Sequence, residues 1–395
     1  MSPPLCYLDN AATTFPKPRS VIDEVTRCLS TYCGNPGRGA HSLSLAAANK
    51  IYDCRVAAAE LIGLDAPENI VFVPNTTYGL NLIIKGLLHY GDHVIISDME
   101  HNSVYRPIYK MAQRGEITFD VFPALSLGNS YSPELICKSI ERLIKGNTRL
   151  IICNHQSNIC SLALPIQKIG ELCKKYGIIF ALDVAQSAGH IELDMKSQHI
   201  DLLCAPGHKG LYGLQGSGFV AIGNGVLLDT LIEGGNGVQS LSPEMPDFSP
   251  ERYESGTLPT PCIAGLCEGI REIKRIGVNT ISQSEELLFL YLRERLKNMR
   301  GITLYADEHI GNTLLFNIDG LPSDRVASLL DKYGICVRGG FHCSALAHRA
   351  LGTPESGAAR VSFGIFNTKK DIERLLFACN DIIKSNIAHL SLKSP

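Results

Sequence analysis

Several things are missing from this chain of 395 residues, and each absence removes a class of function. It has no charge imbalance: Lys and Arg number 37 against 39 Asp and Glu, a net of −2. That balance gives no general attraction to nucleic acid or an anionic membrane, and no basic patch with interleaved aromatics points to a nucleic-acid partner. No apolar run approaches the roughly 20 residues a membrane-spanning helix needs. The opening stretch MSPPLCYLDNAATT lacks the basic-then-apolar pattern of a secretory signal. The expectation is a cytoplasmic protein with no membrane partner. Although cysteines number 14, no two stand in a CxxC pair, so zinc-ribbon and thioredoxin-like readings have no support and no metal site is expected. Cys153, Cys204 and Cys336 lie inside apolar runs and read as small buried hydrophobes. No internal repeat or low-complexity tract interrupts the chain, which is long enough for one large α/β unit and a smaller one.

What is present is a strand–helix alternation. Apolar runs at 92–97, 117–122, 149–154, 178–182 and 200–205 alternate with amphipathic stretches at 105–114, from Ser132-Pro133 onward, and from Pro165 to Gly177. Helices are also expected at 19–31 and 42–62, and one beginning near Tyr78. Ser132 followed by Pro133 is a helix-opening pair, an N-cap with proline at the first helical position. Such alternation implies a mostly parallel sheet covered on both faces. After Ile222 the texture changes to a Gly-, Pro- and Ser-rich stretch. Beyond it come a helix at 263–276, a long helix at 282–299, several short strands and a last helix at 370–384, as in a smaller α+β unit.

The central stretch is Ile200–Ile222. A buried strand breaks there into a Gly-rich turn carrying His208 and Lys209, and a second strand comes next at 217–222. A lysine just past a buried strand sits where desolvation lowers its pKa, as a lysine that bonds covalently to a carbonyl group requires. Taken alone, it is as well read as a solvated turn lysine. Asp183 closes a strand of nearly pure hydrophobes; its carboxylate could hold a proton on a pyridine nitrogen, or simply cap the next turn of chain. Thr76 and Thr77, at a helix start, could surround a phosphate with hydroxyls and free N–H groups. His101 could stack on an aromatic ring or move protons. Gln186 could bond a ring hydroxyl, and His208 the same phosphate. Thr76, Thr77, His101, Asn158, Asp183 and Lys209 all fall at or just past expected strand C-termini, where ligands bind in open α/β sheets. Together they suggest a pyridoxal 5'-phosphate site.

The stretches YLDNAATT at 7–14, Asn75-Thr76-Thr77, Glu100-His101-Asn102, His155–Asn158, Asp183–Gln186, Gly207-His208-Lys209 and Arg338–Cys343 resemble those of the cysteine desulfurases and selenocysteine lyases in the class V aminotransferase group. The likeness runs from about Tyr7 to about Ile383. It implies the α/β fold of fold type I pyridoxal phosphate transferases: a mostly parallel seven-stranded sheet with helices on both faces, plus a smaller α+β domain. The large domain is expected at 15–260, and the small one, carrying the catalytic-cysteine loop, at 1–14 and 261–395.

By the same resemblance, Lys209 would carry the cofactor and move protons. Asp183 would pair with its ring nitrogen, Gln186 with its hydroxyl, and His101 would stack on it. Thr76, Thr77 and His208 would hold its phosphate, with Thr257 reaching over from the other subunit of a homodimer. Asn158, Arg338 and Arg360 would bind substrate. Cys343 would take sulfur from L-cysteine as a persulfide, release L-alanine and pass the sulfur to an acceptor protein. Arg360 lies only 17 positions after Cys343, as in the short-loop group. A selenocysteine or cysteine-sulfinate lyase would use the same cofactor site on a different substrate. A non-catalytic sulfur-carrier or scaffold subunit has no need of Asp183, Gln186, His208 and Lys209 together. Three departures stand out: Pro206 where a phosphate-binding serine is common, Phe341 where a second histidine is common, and Gly37 where a histidine is often found.

Overall fold

The computed structural model describes residues 4–37 and 39–391. Strand β1 (Cys6–Tyr7) leads into helices α1 (Arg19–Arg27) and α2 (Ser42–Leu61). The alternation then runs β2 (Ile70–Val73), α3 (Thr76–Leu87), β3 (His93–Ser97), α4 (Asn102–Gln113), β4 (Thr118–Phe122), α5 (Pro133–Leu143), β5 (Thr148–Asn154), α6 (Ile166–Tyr176), β6 (Ile179–Asp183), β7 (Leu202–Pro206) and β8 (Gly218–Ile222). Two long helices come next, α7 (Thr260–Ile276) and α8 (Val278–Lys297). The chain closes with β9 (Ile302–Tyr305), β10 (Thr313–Ile318), α9 (Ser323–Asp331), β11 (Ile335–Cys336), α10 (Ala345–Ala350), β12 (Ala359–Ser362) and α11 (Lys369–Ser391).

Seven strands form one sheet in the order β2-β8-β7-β6-β5-β3-β4. Strands β7, β6, β5, β3 and β4 run parallel, while β8 is antiparallel to both its neighbours. The central strands read IFALD, LLCAP and HVIIS because both faces are covered by helices; all of β3 and β7 is buried. The edge strand β4, TFDVF, is mostly accessible. From β3 the chain goes outward to β4, then returns to lay β5 on the other side of β3. That reversal opens a crevice at the carboxyl ends of β3 and β5, the usual ligand position in an open α/β sheet.

Local signals in the sequence fix the helix ends. Ser132 accepts a hydrogen bond from Leu135 N, and Gly177 ends α6 in the left-handed region at φ 66°. Two ends differ from the sequence reading. The helix expected at 19–31 is α-helical only to Arg27 and continues as one wider turn over Cys28–Tyr32. In a regular helix, residues eight apart point about 80° away from each other. The widened turn brings Tyr32 back onto the face of Glu24, whose carboxylate its hydroxyl bonds. Helix α4 starts at Asn102, not Tyr105, because the His101 ring supplies the cap.

A second core lies around the three-stranded sheet β12-β10-β9, where Leu314, Phe316 and Val361 pack with Phe289, Leu292, Leu375 and Cys379. Cys6 and Leu8 belong to this core, and β1 pairs with β11. Past the change in composition after Ile222, Ile263, Leu266, Ile270 and Ile273 of α7, and Ile281 of α8, lie in the core of the large sheet, and α7 packs on α1 and α2. Farther along α8, Phe289 and Leu292 belong to the second core.

Helix α7 also passes directly over the turn that carries Lys209. A Cβ on Gly269 would lie 2.1 Å from Leu211 O, backbone against backbone. We expect Gly269→Ala to lower unfolding free energy by about 1–3 kcal/mol, read as a lower urea midpoint. An unchanged midpoint would mean this approach does not constrain the turn.

Candidate active site

The carboxyl ends of the strands converge on one cavity of about 180 Å³, lined by Asn75, Thr76, Thr77, His101, Ser103, Asn154, Gln156, Asn158, Asp183, Gln186, Pro206, His208 and Lys209 among others. Eight of the residues singled out from the sequence therefore share one wall-to-wall site: Thr76, Thr77, His101, Asn158, Asp183, Gln186, His208 and Lys209. They arrive from several different strand ends, so the sheet does the positioning.

Asp183 is the last residue of β6, buried, and its Oδ1 accepts from Ala185 N at 2.9 Å. Its other oxygen accepts no hydrogen bond among the described residues. Burial pushes its pKa up to about 6, opposed by the Ala185 N–H and the Lys209 charge. Lys209 shares the cavity without forming an ion pair with Asp183. Its pKa is lowered to about 8, chiefly by burial, with Asp183 opposing and the Arg360 and Arg338 charges adding to the fall. Glu100, fully buried, accepts from Ser97 Oγ and, at 3.1 Å, from the backbone N of the cavity residue Asn154. Burial lifts its pKa to about 8, so at neutral pH it is largely protonated and adds little negative charge beside Asp183.

The histidines are neutral as well. His101 caps α4: its Nδ1 accepts from Ser103 N at 3.1 Å and meets Ser103 Oγ at 2.7 Å, which fixes the ring. Burial and then the Lys209 charge lower its pKa to about 4. His208 is lowered to about 4 by the same two causes in the same order.

The opposite end of the cavity is built for an anion. Thr76 and Thr77 are the first residues of α3, whose Asn75 cap accepts from Tyr78 N at 2.9 Å. Thr76 Oγ1 is buried with no partner, and the helix N-terminus offers free N–H groups. Gly79 lets α3 lie close against β7, where a Cβ would come within 2.5 Å of Cys204 Sγ. Pro206 lines the site and contributes no donor.

Lys209 is held through its backbone by the N-terminal segment, something the sequence did not signal. The His208 carbonyl accepts from Thr14 N at 3.1 Å, Thr13 Oγ1 at 3.1 Å and Lys17 Nζ at 2.7 Å, and Thr14 Oγ1 donates to Lys209 O at 3.1 Å. Lys17 has no carboxylate partner among the described residues, and burial lowers its pKa to about 8. Gln186 Nε2 donates to Ala11 O at 3.0 Å, which keeps one amide hydrogen for the cavity.

Four singled-out residues do not line this cavity. Arg360 is buried behind it on β12, donating from Nη1 to Asn158 O and from Nη2 to Asp9 Oδ1, both at 2.8 Å, with Nε unpartnered. Arg338 bridges Arg360 through the backbone, and its charge reaches Lys209 and His101. Cys343 sits on the neighbouring loop with its side chain exposed; its carbonyl accepts from Asn102 N at 2.8 Å. Thr257 lines a separate cavity with Gly37, Asn35, Asn236 and Arg55, so it does not reach Lys209 within one chain.

A cofactor with a phosphate, a protonated ring nitrogen and an aldehyde matches these groups: an orphaned threonine hydroxyl at a helix N-terminus, a half-satisfied buried carboxylate, and a lysine of lowered pKa. The comparisons with known proteins agree. Residues 6–375 match the family model described as aminotransferase class V. A probable cysteine desulfurase of Methanothermobacter thermautotrophicus is 34% identical, over 93% of this chain and 92% of its own length. A cysteine desulfurase of Yersinia pestis is 31% identical, over 96% and 94%. The apo structure of a cysteine desulfurase from Thermococcus onnurineus superposes with a TM-score of 0.87 at 30% identity, covering 96% of this chain and 95% of that one. No helix among the described residues is long and apolar enough to cross a membrane.

The buried Asp183 carboxylate predicts a trade between stability and function. Its folded pKa lies above its unfolded one, so folding favours the protonated form. Ionised Asp183 therefore destabilises the ligand-free protein, not at all below about pH 4 and fully above about pH 6. In ligand-free protein at pH 7, Asp183→Asn is expected to raise unfolding free energy by up to about 3 kcal/mol, and the gain should vanish near pH 4. A variant no more stable than wild type at pH 7 would contradict this.

Proposed function

We propose that this chain, which belongs to the class V aminotransferase family, is a pyridoxal 5'-phosphate-dependent cysteine desulfurase that converts L-cysteine to L-alanine and carries the sulfur on Cys343. The observation that bears most weight is the placement of Lys209 and Asp183, unpaired with each other, on two walls of one buried cavity. When bound, pyridoxal phosphate supplies an electron sink for the bond changes at the substrate Cα and Cβ.

Everything else falls to the chain's own residues. Asp183 would hold a proton on the ring nitrogen, and Glu100, protonated nearby, leaves that role to a single carboxylate. His101, neutral and fixed by Ser103, would stack on the ring. Gln186 would donate its remaining amide hydrogen to the ring hydroxyl oxygen. Thr76, Thr77 and His208 would bind the phosphate. Lys209, with a pKa near the working range, takes the proton from the substrate Cα and returns it. Arg360, Arg338 and Asn158 hold the substrate carboxylate. Cys343 attacks the substrate's sulfur: the C–S bond breaks, an S–S bond forms, and the carbon that loses sulfur gains the proton displaced from the thiols. L-cysteine and the Cys343 thiol thus become L-alanine and a Cys343 persulfide.

The separate cavity around Thr257 supports a homodimer in which this threonine completes the phosphate site of the partner. The exposed position of Cys343 beside exposed Phe341 supports delivery of sulfur to an acceptor protein.

With a thiol reductant present, Cys343→Ala should lose alanine release from L-cysteine while keeping the bound-cofactor absorbance. Lys209→Ala should lose borohydride-fixable cofactor and about 10²–10⁴-fold in rate. If Cys343→Ala turns over L-cysteine as wild type does, or if only L-selenocysteine is consumed, the persulfide route is wrong and a lyase takes its place.

A further inference from the structure

One buried amide touches both the substrate pocket and the loop of the sulfur-accepting thiol. Asn158 lines the cavity with Lys209, yet both ends of its side chain are engaged on the Cys343 loop. Its Nδ2 donates to His342 O at 2.8 Å, and its Oδ1 accepts from Ser344 Oγ at 2.6 Å. These two bonds bracket Cys343 from either side. The bracketed segment is held against its own preference: His342 and Cys343 are consecutive non-glycine residues in the left-handed region, at φ 50° and 58°. Further contacts pin it. Asn102 N donates to Cys343 O at 2.8 Å, and the His342 ring sits between His348 Nε2 and Arg338 O, both at 3.2 Å.

Ser344 has a specific task in this arrangement. It is fully buried, and its hydroxyl proton goes to Asn158 Oδ1. That bond fixes which end of the amide is oxygen and so keeps the N–H donors turned toward His342 O and the cavity. Nδ2 carries two hydrogens, one on His342 O and one left for the cavity; an amino-acid carboxylate arriving there is a charged acceptor, stronger than a neutral carbonyl, and draws the nitrogen toward itself and off His342 O. Losing the Asn158 donor removes one of the restraints that keep His342 and Cys343 left-handed.

We propose that Ser344 is a positioning residue, and that with Asn158 it forms a latch holding the Cys343 loop until a substrate carboxylate releases it. The proposal deepens the desulfurase reading and rests on its contact between Asn158 and the substrate carboxylate. It involves no covalent step, only exchange of one hydrogen-bond acceptor for another at Asn158 Nδ2.

The test is the rate of amide hydrogen exchange in the Cys343 loop of reduced holoenzyme, monitored on its own peptide by mass spectrometry. Without added ligand, Ser344→Ala should exchange roughly fivefold faster than wild type, the equilibrium weight of one hydrogen bond. Saturating L-alanine should raise the wild-type rate toward that of the variant and change the variant little. Ser344→Thr, which keeps the hydroxyl, should restore the wild-type pattern; near-ultraviolet circular dichroism confirms that each variant is folded. A wild-type rate in Ser344→Ala, a fall in rate on adding L-alanine, or equal responses in the two proteins overturns the latch. The ligand-free comparison needs no turnover, so it separates failure of the latch from failure of the desulfurase assignment, which the alanine-release assay reads.

Discussion

The structure depends on keeping a buried ammonium and a buried carboxylate in one cavity without letting them neutralise each other. Lys209 and Asp183 each lose water on folding, which lowers the pKa of the first and raises that of the second. Direct pairing would ease both, but would consume the groups that the chemistry needs. Separation comes from the sheet: Asp183 ends β6, while Lys209 lies three residues beyond the end of β7 on a turn. That turn is tied down through the carbonyls of His208 and Lys209, which take hydrogen bonds from Thr13, Thr14 and Lys17. From the other side α7 presses on Leu211 at Gly269. The surrounding groups are kept neutral for the same reason, with His101 and His208 deprotonated and Glu100 protonated. An additional charge at any of these positions would shift the balance between Lys209 and Asp183.

The N-terminal segment joins the two cores and thereby the two halves of the chemistry. Cys6 and Leu8 pack in the second core, Asp9 accepts from Arg360 of β12, and Thr13 and Thr14 reach the Lys209 turn. Between Cys6 and Thr14 the chain passes from the sheet that carries Arg360 to the loop that carries Lys209. Arg360 is buried and its one ionic partner among the described residues is Asp9, so its guanidinium is aligned by this segment while Nε stays unpartnered. The segment YLDNAATT is therefore mechanical: it sets the distance between Arg360 and Lys209.

How much of this was legible in the sequence depends on the range of each interaction. The positions of Thr76, His101, Asp183 and Lys209 could be read because hydrophobic runs mark strands and ligands gather at their carboxyl ends. Element ends were harder. Helix α4 begins three residues early because a histidine acts as its cap, a residue type that ordinary cap preferences do not favour. The widened turn at Cys28–Tyr32 answers to a tertiary bond with Glu24, invisible to local propensity. Helix α7 lies in the core of the large sheet although it follows the change in composition after Ile222, because that change marks a loop. Lys17 and Ser344 carried no signal at all. They act on segments 191 and 186 residues away in the chain, and only the folded structure shows that Lys17 bonds His208 O and Ser344 bonds Asn158.

The same long-range contacts explain why one thiol among 14 is suited to the work. Most of the others are buried, and burial pushes the thiols of Cys6 and Cys379 up to about 12 and those of Cys153 and Cys204 well above their ordinary value. A thiol so placed is inert toward reagents and substrate alike. Cys33 is exposed, but it lies past the end of α1, outside the wall of the Lys209 cavity. Cys343 combines exposure with attachment to the cavity through its own backbone and its neighbours'. Asn102, next to His101, binds its carbonyl, and Asn158 spans the residues on either side. Two consecutive left-handed residues would relax in a free loop, costing of order 1–2 kcal/mol each to hold. These contacts hold them here, and Asn158 belongs both to the wall of the Lys209 cavity and to the loop, so Cys343 and the cavity are linked through atoms in contact.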